Sequence, residues 1–311
     1  MNYAELVEYL EQNWTKGPQT ELATHYPFEE LRALLAARGD PQRGLTVVHV
    51  TGSKGKGSVV ALASALLRAH GQPTGAFVSP HLERVEERII LNDRPIDGEE
   101  LARRMTDLIE TSDRLDHDPK QIWRLLLTAA LEAFRDHGLG RAVVEVGVGG
   151  RFDRTNVVDG RVACITPIGI EHTQRLGATR AAIAAQKVGI VKPSSLCVSA
   201  AQPPDVEAVV RAGVALAGAR LVQVGHQSGL RVRTVDRSGI VADLWTPHRR
   251  FEGLRIGLLG RHQAENAAVA LCAAEEILAA RSQPLTREKV AAALGRVRWP
   301  GRLELLAGDP P

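Results

Sequence analysis

The sequence predicts an α/β protein: a mostly parallel sheet with helices on both faces. Three observations predict it. Short β-branched runs alternate with stretches of helical spacing along most of the chain, the pattern of a parallel sheet with crossover helices. The runs are short and apolar, as buried strands are. Two glycine-rich turns, at 52–57 and 147–150, directly follow such runs. Open sheets of this kind bind ligands at the carboxyl ends of their strands, which is where both turns fall.

The elements follow in order. Residues 28–38 have helical spacing, with Phe28, Leu31, Leu34 and Leu35 on one face, and Gly39-Asp40-Pro41 stops the run. Residues 45–50 (LTVVHV) read as a buried strand, and 58–70 as a helix stopped by Gly71. Strands are predicted at 74–79 and 88–92, and helices at 97–110 and 122–137. A strand at 141–150 runs into the second glycine turn. Then come strand 162–166, helix 179–190, strand 196–200 and helix 204–218. Residues 220–260 alternate without a helical run and predict a small antiparallel β patch. Helices at 262–280 and 287–297 complete the reading.

Composition narrows the class. With 44% hydrophobic and 24% charged residues, the chain can offset the entropy of ordering, which excludes a disordered chain. Cys164, Cys197 and Cys272 are widely spaced and fit neither a disulfide framework nor a zinc cluster. They read as small buried hydrophobes in a reducing compartment. The N-terminus MNYAELVEYLEQNW carries acids and lacks the apolar core of a secretory signal. No stretch approaches the roughly 18 apolar residues of a spanning helix, so the reading is a soluble cytoplasmic protein without a membrane partner. A net charge of +3 with dispersed arginines argues against nucleic acid.

The strongest local signal is Gly52-Ser53-Lys54-Gly55-Lys56-Gly57-Ser58, between a predicted strand and a predicted helix. Backbone N–H groups of such a turn can wrap phosphate oxygens, and the helix N-terminus adds positive potential. Lys56 would reach the β- and γ-phosphates and Ser58 a magnesium ion. Gly57 separates the lysine from the serine, so this is not a strict GxxxxGK[ST]. Val60 stands where a dinucleotide fingerprint begun at Gly55 needs its third glycine.

The stretch HVTGSKGKGS resembles the phosphate loop of folylpolyglutamate and dihydrofolate synthases in the Mur ligase superfamily. Further motifs follow in the family's order. They are Ser79-Pro80-His81-Leu82 with Glu87-Arg88, the run 145–156 (EVGVGGRFDRTN), and Ile165-Thr166 with Glu171-His172-Thr173 and Leu176-Gly177. Gln186-Lys187-Val188-Gly189-Ile190, His262-Gln263 with Asn266-Ala267, and Trp299-Pro300-Gly301-Arg302 complete the set. The match covers essentially the whole chain. Lys54 stands where Asn is common, Glu171 where Asp is usual and Arg154 where Ala is common. Residues 123–128 also depart from the bacterial Phe-Glu-x-x-Thr pattern.

The resemblance implies ATP-driven amide formation. A carboxylate of folate or dihydropteroate takes the γ-phosphoryl group, and the amine of L-glutamate displaces phosphate. It implies that Glu145 binds Mg2+ with Ser58, Ser79 and His172. It makes Lys56, Glu145, His172 and Lys187 the catalytic set, with Lys187 carbamylated beside a second metal. Asn266 would contact adenine, and Arg302 the nucleotide phosphates, beside loop residues 52–58. Ser79, Pro80, His81, Asp153 and Arg154 would meet the pterin substrate. The resemblance also implies a monomer. Two other readings stand: a Mur-superfamily ligase for another acid and amino acid, and a non-catalytic ATP-binding remnant.

The family's C-terminal unit opens with a strand and a DGAHN motif, absent from this sequence. The expectation is an ATPase domain over 1–297 and a linker over 298–311 leading to an absent glutamate-ligase domain. Such a chain would fold and bind MgATP but ligate poorly alone.

Overall fold

A computed structural model describes residues 1–14, 28–118 and 121–305. An eight-stranded sheet forms its centre, in the order β4-β3-β2-β5-β1-β6-β7-β8. The strands are β1 (Thr46–Thr51), β2 (Thr74–Phe77), β3 (Ile89–Leu91), β4 (Arg94–Pro95), β5 (Arg141–Glu145), β6 (Gly160–Ile165), β7 (Leu196–Ser199) and β8 (Arg220–Gln223). From β2 to β8 every neighbouring pair is parallel, while β3 and β4 form an antiparallel edge. A separate antiparallel sheet joins β9 (Gly229–Asp236), β10 (Gly239–Trp245) and β11 (Arg250–Ile256).

The helices are α1 (Tyr3–Asn13), α2 (Phe28–Ala37), α3 (Lys56–Ala69), α4 (Gly98–Arg114) and α5 (Ile122–Asp136). They continue with α6 (Thr173–Leu176), α7 (Arg180–Lys187), α8 (Pro204–Leu216), α9 (Gln263–Ala279) and α10 (Arg287–Arg296). Alternation along the strands sorts them into layers. Val48, Val50, Val143, Val162 and Val198 pack with α3, α9, α10 and the small sheet. Val47, Ala142 and Val144 point the other way, into α1, α2, α4 and α5. Ala163, Ile165 and Cys197 do the same under α7 and α8. Both faces are covered, which is why these strands read as continuous apolar runs.

Two parts of the sequence reading change. Residues 220–223 are not in the antiparallel patch; they form β8 and extend the parallel sheet beyond β7. The patch proper starts at Gly229. Over four residues, apolar periodicity does not distinguish an edge parallel strand from a hairpin arm. The N-terminal residues, read only as not a signal, form α1. Its capping box was visible: Asn2 Oδ1 accepts from the Glu5 N–H (3.0 Å), and Glu5 Oε2 accepts from the Asn2 N–H (2.9 Å). Leu6 and Leu10 then bury against α4.

Cys164, Cys197 and Cys272 are buried and free, and burial pushes the Cys197 and Cys272 thiols up to about 12. Among the described residues no helix is long and apolar enough to cross a membrane. Residues 306–311, within the expected linker, lie outside the described residues.

His49 in β1 is fully buried, with its Nε2 2.9 Å from Thr155 Oγ1. Burial, aided by the Lys192 charge, lowers its pKa from 6.5 to about 3. The folded state therefore binds its proton more weakly than the unfolded chain. The stability this confers is full above pH 6.5 and is lost as pH falls toward 3. Denaturant melts of wild type and His49→Gln at pH 7 and 4.5 check it. The variant is expected to lose about 2–3 kcal/mol less over that interval, and equal losses would contradict the assignment.

Candidate active site

Register places the site. In the β1–β5 pairing Val50 lies opposite Glu145, and in the β1–β6 pairing Thr51 lies opposite Ile165. Three strand ends thus finish level, delivering Gly52, Glu145 and Thr166 to one edge of the sheet. The Thr166 N–H donates to the Thr51 carbonyl (2.8 Å), and Thr51 Oγ1 donates to the Gly149 carbonyl (2.7 Å). Both glycine turns are therefore tied to the same strand end.

The loop needs glycine where strand becomes helix. Gly52 has φ +142°, and a Cβ there would lie 1.8 Å from Thr166 Oγ1 and 2.9 Å from the Thr166 carbonyl. Gly55 is left-handed, φ +89°, immediately before α3, and its Cβ would lie 2.5 Å from Asn266 Oδ1. The Ser53 N–H donates to the Pro167 carbonyl (3.0 Å), and Ser53 Oγ accepts from the Gly169 N–H (3.1 Å). The loop is thereby moored to residues 166–169. The N–H groups of the first turn of α3 have no helical partners and carry the positive end of the helix dipole.

Charge gathers at this edge. Glu145 is 3% exposed. Its Oε2 accepts from the Ser79 N–H at 3.2 Å, and Lys56 Nζ lies 4.0 Å from its Oε1. Burial raises its pKa to about 7 against the opposing charges of Lys56, Arg302 and Arg88. An acid held in that state gains from a further cation, and oxygen donors suit magnesium, which keeps several waters. Lys56 Nζ also donates to the Gly52 carbonyl (3.2 Å). Lys187, nearly fully buried, lies 2.7 Å from Glu171 Oε1 and donates to the same Gly52 carbonyl at 3.0 Å. Burial lowers the Lys187 pKa, and Glu171 opposes the shift.

The other expected residues divide. Ser58 is buried in the first turn of α3, and Ser79 is brought to Glu145. Asn266 is buried against Gly55 and donates to Gln263 Oε1 (2.8 Å). Lys54 and Arg302 are exposed. Pro80, exposed, follows Ser79 through a cis bond. His172 is exposed, with left-handed backbone (φ 43°) at the start of α6. Among the described residues no group of three or more His, Cys, Asp or Glu side chains could hold a metal. Asp153 stitches its own loop: its carboxylate accepts from the Val148 N–H (3.0 Å), the Thr155 N–H (2.9 Å) and Thr155 Oγ1 (2.5 Å). Arg154 donates to Gln121 Oε1 at 2.7 Å. Both line a small cavity with Trp123, Gly150, Phe152 and Arg175.

Arg88 is a member that sequence spacing does not assign. Its guanidinium is 4.7 Å from the Trp14 ring centroid and 5.4 Å from that of Trp123. Its Nε donates to His81 Nδ1 at 2.8 Å, which leaves the neutral His81 ring with its proton on Nε2. Burial lowers the Arg88 pKa to about 10, with Glu145 and Glu87 opposing. The Glu87-Arg88 pair was legible as a motif, but the two tryptophans that hold Arg88 are far from it in sequence. Thr166, which fills the space above Gly52, was equally hidden.

Comparison with known proteins places this geometry. A model of the Mur ligase middle domain matches residues 50–274. The dihydrofolate synthase/folylpolyglutamate synthase of Bacillus subtilis is 32% identical over 285 residues, covering 90% of this chain and 66% of that protein. The folylpolyglutamate synthase of Lacticaseibacillus casei is 30% identical, covering 100% of this chain and 72% of its own length. A solved folylpolyglutamate synthase in complex with AMPPCP and folate superposes with a TM-score of 0.90 at 30% identity, across 99% of this chain and 74% of that one. The chain thus spans about two thirds of the length of the B. subtilis relative.

Gly52→Ala tests the loop geometry without any ligand. The added methyl meets Thr166 and must adopt a positive φ. It is expected to cost more than about 2 kcal/mol of unfolding free energy. Adding Thr166→Ala should restore only part, because the Thr166 carbonyl and the positive φ remain. A loss near zero for the single variant would contradict the reading.

Proposed function

The chain belongs to the Mur ligase family, in its folylpolyglutamate synthase group, and on that premise we propose that it serves ATP-dependent joining of L-glutamate to folate or dihydropteroate. One observation carries the proposal. The glycine loop with Lys56 and the buried Glu145 share one sheet edge, with Lys56 Nζ 4.0 Å from Glu145 Oε1.

In this reading the loop N–H groups and the start of α3 bind the β- and γ-phosphates of ATP. Lys56 offsets charge on the transferring phosphoryl group. Glu145, with Ser58, Ser79 and His172, would hold Mg2+. The bound ion would supply Lewis-acid screening between two anions. The substrate carboxylate attacks the γ-phosphorus and ADP leaves. The amine of glutamate then attacks the acyl phosphate, and phosphate leaves. Asn266 would contribute to the adenine pocket, Arg302 to the phosphates, and His81, Asp153 and Arg154 to the pterin side. Asp153 would act there by shaping the loop, since its carboxylate is already engaged.

Carbamylation of Lys187 is a finer question. In the amine form Lys187 faces a carboxylate and a carbonyl, both suited to an ammonium. A carbamate in that place would need a cation between itself and Glu171. Such a cation would be the second metal that the resemblance implies beside a carbamylated Lys187.

A substrate panel tests the proposal. The small ADP release expected of this chain alone should rise with L-glutamate plus tetrahydrofolate or dihydropteroate, and not with a UDP-linked cell-wall peptide. Lys56→Met should lower it to background and weaken ATP binding, measured by calorimetry, by about tenfold or more. Stimulation by the cell-wall peptide instead would favour a different Mur-type ligase. Unchanged ATP binding in Lys56→Met would contradict the site.

A further inference from the structure

Beyond the first turn of α3, a groove of about 490 Å3 runs between α3 and α10. Side-chain length explains it. Ala61, Ala65 and Ala69 line it from α3, at positions four apart that share one helix face. Ala292 and Ala293 line it from α10. Methyl groups are too short to fill the space between the two helices. Ile90 of β3 and the Trp299 ring add further apolar wall. Ligand pockets of this size are mostly apolar, with a few polar groups that orient the ligand.

Polar groups of that kind are present. Ser64 lines the groove from the same face of α3 and is 3% exposed. Among the described residues its Oγ has no hydrogen-bond partner. A serine within a helix can return its hydroxyl proton to the carbonyl four residues back; this one does not, and an unpaired buried hydroxyl costs free energy. The charge lining the groove is one-sided: Arg68, Arg296 and Arg298 stand against a single acid, Asp93. Arg68 is half-buried, and burial lowers its pKa while the Asp93 charge opposes the shift. Arg298 is held in place, its Nη1 donating to the Val297 carbonyl (2.9 Å) and the Gly295 carbonyl (3.3 Å). A guanidinium partly withdrawn from water gains more from an anion than a fully solvated one does. A polyphosphate would find no backbone cradle here, because N–H groups along the flank of a helix are spent within it.

We propose that this groove is a second ligand site, one for a small aromatic carboxylate. The ring lies between the alanine faces of α3 and α10, against Trp299. The carboxylate turns toward the arginines, and Ser64 offers its hydroxyl. Planar carboxylates match the guanidinium fork, and an aromatic body buries a large apolar area at little cost in conformational freedom. The site is separate from the glycine loop and does not depend on the ATP reading. Trp299 is its natural reporter.

The experiment titrates 2-naphthoate, and separately its uncharged amide 2-naphthamide, into the isotope-labelled chain. It follows the Trp299 indole N–H resonance, assigned by its loss in Trp299→Phe. 2-Naphthoate is expected to shift that resonance saturably with a Kd of about 1 mM or tighter. The amide should bind at least about threefold more weakly, since it brings no charge to the arginines. Ala65→Phe places a ring in the groove and should weaken naphthoate binding by about tenfold or more. Ala292→Phe, at an exposed position of α10, carries that test if Ala65→Phe does not fold. Arg296→Gln removes an exposed cation and should weaken naphthoate by about threefold or more while leaving the amide unchanged. Lys56→Met, at the glycine loop, should leave naphthoate affinity unchanged. A Trp299 resonance that does not move, or naphthoate affinity unchanged in the filled variant, would overturn the site. Loss of binding in Lys56→Met would overturn it too, by placing the probe at the glycine loop. Equal affinities for acid and amide would overturn the carboxylate assignment.

Discussion

The structure depends on the parallel register of β1 between β5 and β6. That register brings the ends of three strands to the same height, and each end carries a residue the site needs: Gly52, Glu145 and Thr166. A slip of one residue in either pairing would turn every side chain to the opposite face. Glu145 would then leave the edge where Lys56 stands. The register is held by two-sided burial, because Val48 and Val50 serve one core and Val47 the other. Core packing and site geometry are thus one constraint, and the buried valines of β1 act at a distance on the placement of Glu145.

Two acids near the loop, Glu145 buried and Glu171 half-buried, are treated differently. Glu171 has its cation, Lys187, at 2.7 Å, and despite burial its carboxyl is held below the ordinary range by that charge and hydrogen bond. Glu145 has no cation closer than Lys56 at 4.0 Å among its described ion pairs, and burial carries it up to about 7. Glu145, buried and farther from its cation, suits a metal ligand. Environments that push like groups apart in this way mark where roles divide.

Much of this was legible in sequence. The strands and helices of the parallel sheet announced themselves through apolar runs and glycine stops, and the glycine loop through its place between strand and helix. What stayed hidden depends on contacts between distant segments. Residues 220–223 carry too few side chains to choose between an edge strand and a hairpin. α1 had a capping signal, Asn2 with Glu5, that is short enough to overlook. Arg88 is set by Trp14 and Trp123, and Gly52 by Thr166; neither pairing leaves a trace in local pattern. The surroundings of His172 and Lys187, which the resemblance assigns to the metal site, were hidden as well: His172 is exposed at the start of α6, and Lys187 lies beside Glu171.

The central claim is that register alone sets a phosphate loop and a metal-seeking carboxylate side by side. A co-crystal structure of this chain with AMPPCP and Mg2+ tests it most directly. The account predicts phosphate oxygens within hydrogen-bond distance of the 54–58 backbone N–H groups and of Lys56 Nζ, with the ion against Glu145. A nucleotide bound elsewhere, such as the cleft between α3 and α10, or a Glu145 touching neither ion nor phosphate, would contradict it.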